Sequence, residues 1–117
     1  MAGMTGLDVL AARLGEIIGA APAAAESGLA EGLRAAAAEA KALAPADTGR
    51  LKESIDSETE RRGATASGRV YAGAEYAAYV ELGGARPARP FLLPAVKATE
   101  GTIRDAVEKA VSRALKG

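Results

Sequence analysis

Bulk is the scarce material in this sequence. Alanine supplies about a quarter of the chain, while aromatics make up 3%: one Phe, three Tyr and no Trp in 117 residues. Burial stabilises by about 25 cal/mol per Å² of apolar surface, and an alanine side chain has little surface to bury. A single domain of this length then has a thin core and is marginal as a monomer. Added stability is expected from partners or from self-association.

The charges exclude several classes of function. Fifteen basic and fifteen acidic residues give a formal net charge of zero. No basic stripe is interleaved with aromatics, so direct nucleic-acid binding is not expected. The absence of cysteine removes disulfides and thiolate chemistry, and the absence of histidine removes Ser-His-Asp triads and the usual zinc sites. No cofactor and no metal site are expected. No apolar run approaches the roughly 20 residues of a membrane span, and the N-terminus lacks the pattern of a signal peptide, so the chain reads as cytosolic at synthesis.

Periodicity predicts an α+β domain of helices packed on a small antiparallel sheet. Residues 1–43 read as a helical N-terminal region, 44–94 as a hairpin and motif region, and 95–117 as a C-terminal helix. Leu7, Leu10, Leu14, Ile17 and Ile18 fall at three- and four-residue spacing, which predicts a first helix. Pro22 opens a second helix running to about Leu43, with Leu29, Leu33, Ala36, Ala40 and Leu43 on one face. Gly28 and Gly32, four apart on that element, mark close packing against a neighbour. Alternation from Ile55, a turn at Arg61-Arg62-Gly63, and a strand over 64–72 predict a hairpin. Residues 76–82 fit a strand or a short helix, and Gly83-Gly84 marks a loop. Beyond Pro90, Val96, Ile103, Val107, Ala110, Val111 and Ala114 form a helical stripe, with a capping-box pattern at Thr102–Asp105 that suggests a restart near Gly101.

The stretch APADTGRLKESI, residues 44–55, carries an Asp-Thr-Gly triplet. In an aspartic protease that triplet supplies one of two facing carboxylates, which makes a homodimeric protease using Asp47 the enzymatic alternative. An alanine-rich helix precedes the triplet here, and polar Arg50-Leu51-Lys52 follows it, unlike the all-β surroundings of that chemistry. Asp47 and Thr48 are better read as hydrogen-bonding the local backbone, with Gly49 at positive φ, turning the chain from helix into strand. Glu75 and Glu81, six apart, form another carboxylate pair, but nothing else in the chain supports a sugar cleft. The chain is expected to be non-enzymatic.

Beside that stretch stand YAAYVELGG (residues 76–84) and RPARPFLLPAV (86–96). The three motifs in this order resemble a family carrying Ala-Pro-x-Asp-Thr-Gly-x-Leu-x-x-Ser-Ile, then Tyr-Ala-x-Tyr-Val-Glu-x-Gly, then Pro-x-Arg-Pro-Phe-Leu-x-Pro-Ala. These are the neck or tail-completion proteins of long-tailed bacteriophages, named for the gene-ten product of phage HK-ninety-seven. The resemblance implies a structural role in the virion neck or tail, assembled in the host cytoplasm. Its implied partners are head-closure, tail-terminator or tail-tube proteins, and a homo-oligomeric ring is the implied arrangement. A tail-assembly factor absent from the mature particle is the alternative. Tyr76, Tyr79 and Phe91 are candidates for core filling or partner contact. Arg86 and Arg89 are expected in a solvated loop, with pairing to Glu81 or contact with an acidic neighbour as the alternatives.

Overall fold

Pro22 opens the central element of the fold. The computed structural model describes residues 12–18, 21–45 and 49–116, the first of these as backbone only. The elements in chain order are strand β1 (Ala12–Ile18), helix α1 (Pro22–Leu43), the single turn α2 (Arg50–Glu53), strands β2 (Ile55–Arg62) and β3 (Thr65–Ala72), the short helix α3 (Ala77–Leu82) and helix α4 (Leu92–Lys116). The α+β class read from the sequence is the observed one. Pro22 sits at the first position of α1, where its missing N–H costs nothing. Ala44 is already extended at ψ 139°, as the proline after it requires, and its N–H closes the last turn on the Ala40 carbonyl at 2.9 Å.

α1 explains the alanine content. It is covered on two sides, by the sheet and by α4, and its buried positions are Ala25, Gly28, Leu29, Gly32, Leu33, Ala36, Ala37 and Ala40. Leu29 and Leu33 lie over Gly68 of β3, while Gly28 and Gly32 face Ala106, Val107 and Ile103 of α4. A Cβ built on Gly28 would stand 2.6 Å from the Ala106 carbonyl oxygen, and one on Gly32 would stand 2.6 Å from the Ile103 Cα. The glycine pair is thus the antiparallel seam between the two long helices. The largest fully buried side chains are Phe91, Leu29, Leu33, Ile55, Leu92 and Val70.

The sheet has the order β1-β3-β2, antiparallel throughout. β3 alternates strictly, burying Ala66, Gly68, Val70 and Ala72, as one covered face requires. On the opposite face Glu58 lies directly across from Arg69, and the two form a salt bridge. The hairpin connection is Gly63-Ala64, with Gly63 at φ 58°, the position at which a type II′ turn places its glycine. The turn therefore sits one residue later than the Arg-Arg-Gly reading.

Two expectations are corrected. The first helix, expected to stop near Gly19–Ala21 before Pro22, is instead a strand over Ala12–Ile18, so residues 1–43 are not uniformly helical; Leu7 and Leu10 lie outside the described residues. A short isolated helix is marginal, Gly15 weakens it further, and Ile17-Ile18 favour a strand, while β3 offers an edge with backbone groups to satisfy. The pairing passes from Arg13↔Arg69 to Glu16↔Ser67, so Leu14 and Gly15 together oppose Gly68, a bulge of the kind that glycine often marks.

The second correction concerns α4, which runs unbroken from Leu92 to Lys116 with no restart at Gly101. Val96, Thr99, Ile103 and Ala106 are buried in one register across that glycine, so packing on α1 outweighs the local capping pattern. Gly101 is exposed, and an added Cβ would meet nothing within 4 Å. Gly101→Ala should therefore raise stability by about 0.5–1 kcal/mol in denaturant unfolding.

Candidate functional site

The three sequence motifs converge on one region. Gly49 takes φ 75° and leads directly into α2, so the chain makes a helical turn before entering β2. Asp47 and Thr48 lie outside the described residues. Leu51 and Ile55 are each 2% exposed, which assigns the apolar positions of the first motif to the core. Ser54 closes α2, its hydroxyl donating to the Leu51 carbonyl at 2.7 Å. The Gly73 N–H then donates to the Ser54 carbonyl at 2.9 Å, and the Arg50 guanidinium lies 5.9 Å from the Tyr76 ring centroid. Glu75 is an exposed carboxylate near Arg50.

The second and third motifs are joined by Glu81. This carboxylate is 4% exposed and accepts three backbone hydrogen bonds at the start of α4. The N–H groups of Phe91 and Leu92 donate to Oε1 at 2.9 and 2.8 Å, and that of Leu93 donates to Oε2 at 3.1 Å. A helix start leaves its first amides without intrahelical partners. Here Glu81 satisfies the residue before the helix and the first two within it, and Pro94 at the third position has no N–H. The negative charge also faces the positive end of the helix dipole. Sequence reading left Glu81 open to pairing with Arg86 or Arg89; the structure commits both of its oxygens to backbone amides.

Between these anchors, residues 83–90 form an exposed loop with pinned ends. The Arg89 N–H donates to the Val80 carbonyl at 2.7 Å, the Gly83 N–H to Tyr79 at 2.9 Å, and the Gly84 N–H to Arg86 at 3.1 Å. Gly83 adopts φ 88°, open to a glycine at little cost, and Pro87 and Pro90 restrict the backbone further. Arg86 and Arg89 are both exposed.

The aromatics separate by environment. Phe91 is fully buried and Tyr76 packs half-buried against the core, whereas Tyr79 is 70% exposed. Leu82 and Leu93 are exposed as well. Elsewhere, Val107, Val111 and Leu115 of α4 line an open groove. Among the described residues, no helix is long and apolar enough to cross a membrane.

Fold and site together define a small α+β protein in which, among the described residues, the deeply buried carboxylate of Glu81 holds a basic loop in place. The chain belongs to the HK97-gp10 family, whose model, described as "Bacteriophage HK97-gp10, putative tail-component", matches residues 8–83. It is thus a member of a phage tail-component family. The match spans the first two motifs and ends at Gly83, so the third motif is tied to the family core by the Glu81 hydrogen bonds. Compared with curated proteins and with solved structures, the chain matches none.

Proposed function

We propose that this protein is a non-catalytic structural component of the phage neck, joining head to tail or completing the tail by protein–protein docking. Family membership over residues 8–83 carries this reading. The fold supports it in two ways. The thin alanine core suits a subunit stabilised by its neighbours in a ring, and the pinned loop offers a preformed contact surface, which lowers the ordering cost of docking. Its partners would be head-closure, tail-terminator or tail-tube proteins, met during assembly in the host cytoplasm and kept in the virion.

Deleting the gene from the phage should leave filled heads and tails unjoined, and purified protein added to such an extract should restore infectious particles. Normal joining in the deletion would overturn the reading. Mass spectrometry of purified virions should find the protein, whereas its absence from particles would favour the assembly-factor role. The protease alternative makes an opposite prediction at the triplet. Asp47→Asn should complement the deletion at the wild-type level if Asp47 only shapes the turn, and should fail if Asp47 is a catalytic acid.

A further inference from the structure

The region around residues 79–97 combines three properties that coincide nowhere else among the described residues. It is apolar and exposed: of the five large hydrophobic side chains that stand out from the surface among the described residues, Tyr79, Leu82 and Leu93 belong to it. Tyr79 and Leu82 are three apart on α3 and share a side of that helix, and the Glu81 hydrogen bond to the Leu93 amide holds Leu93 close to them in the backbone.

It is also basic: residues 82–99 contain Arg86, Arg89 and Lys97 and no carboxylate, in a chain of zero net charge. Of the two bordering acids, Glu81 is buried against backbone amides, and Glu100 is exposed on α4, three residues beyond Lys97. Finally, it is rigid in construction, fixed by the Val80–Arg89 hydrogen bond and by the prolines at 87, 90 and 94. Tyrosine and arginine are residue types enriched in interface hot spots, the leucines add apolar area beside them, and a preformed backbone lowers the cost of docking.

We infer that Tyr79, Leu82, Arg86 and Leu93 form the docking face for a different phage protein, one whose complementary surface is an apolar patch edged by carboxylates. The inference rests on the neck reading and identifies which face of the subunit docks. Three cations without a flanking basic stripe are too few for a nucleic-acid footprint, and the apolar anchors would have no role on a phosphate backbone.

The test is joining in an extract of cells infected with the gene-deleted phage, scored as infectious titre after adding purified protein. Arg86→Glu, and separately the double variant Leu82→Ser with Leu93→Ser, should lower the titre by about 30-fold or more. Their circular dichroism and melting should match the wild type, because these side chains lie outside the core. Arg86→Lys should stay close to wild type, and wild-type joining should weaken as salt is raised from about 50 to 500 mM.

Full complementation by both the Arg86→Glu and the leucine variants would overturn the inference while leaving the neck reading intact. Failure of the wild-type protein to restore titre would overturn the neck reading and this inference with it. Sedimentation and DNA retardation decide the occupant. Loss of self-association in Arg86→Glu would assign the face to a second copy of this chain. Retardation of duplex DNA by the wild type, lost in Arg86→Glu, would assign it to nucleic acid. Either result would overturn the inference.

Discussion

Glu81→Ala should lower the unfolding free energy by about 3 kcal/mol and the melting midpoint by roughly 10–20 °C. No charged side chain at a partly solvated surface would be worth this much. Glu81 is different because it is buried and its partners are backbone amides that cannot turn elsewhere: Phe91, Leu92 and Leu93 would each keep an N–H with no acceptor at the start of α4. Loss of a helix cap alone costs about 0.5–2 kcal/mol, and stranding a buried donor adds about 1–3 kcal/mol.

Glu81→Gln separates the two contributions. An amide oxygen in the place of Oε1 would keep the bonds from Phe91 and Leu92, while the NH₂ group would confront the Leu93 N–H. Roughly half the loss is expected, about 1–2 kcal/mol. Hydrogen exchange should show the damage locally, with amides 91–93 and the loop from 83 to 90 opening before the sheet does. Equal stability of the alanine variant and the wild type in urea unfolding would show that water can replace the carboxylate.

This hydrogen-bond set also shows what the sequence could and could not disclose. Alternation in β3 and the helical spacing of α1 and α4 were legible because each element has one consistent demand, a covered face at period two or 3.6. The first segment misled because Leu14, Ile17 and Ile18 satisfy helical spacing over a length too short to discriminate. The open edge of β3, a tertiary feature, decided the outcome.

At the site, the motif residues were legible as a group and their roles were not. Glu81 looked like a surface acid beside two arginines, since nothing in the sequence places the amides of residues 91–93 within 3.1 Å of its carboxylate. Phe91 and Tyr79 are both large aromatics in motif positions, yet one is buried and the other exposed. That difference follows from how α3 sits on the core, which no local pattern encodes.

The glycine seam was the most legible tertiary feature, and it yields the second large effect. Alanine at an ordinary helix position is better than glycine by about 0.8–1.0 kcal/mol, so Gly28→Ala and Gly32→Ala would each stabilise α1 in isolation. In the folded protein the new Cβ atoms would fall 2.6 Å from backbone atoms of α4, the Ala106 carbonyl oxygen and the Ile103 Cα. A flexible side chain can give way, whereas a helix backbone yields only by moving as a body. Overpacking of this kind costs about 1–3 kcal/mol, so after the propensity gain the expected net loss is up to about 2 kcal/mol for each alanine and more for Gly28→Val. The two positions share one helix pair, so their effects should be coupled. Once the first alanine has pushed α4 outward, the second meets less resistance, and the double variant should lose less than the sum of the singles by at least about 0.5 kcal/mol. Chemical denaturation of all four proteins measures this directly. Strict additivity would mean that the helices relax independently at the two glycines, and a gain in stability at either site would mean that the seam is not closed in solution.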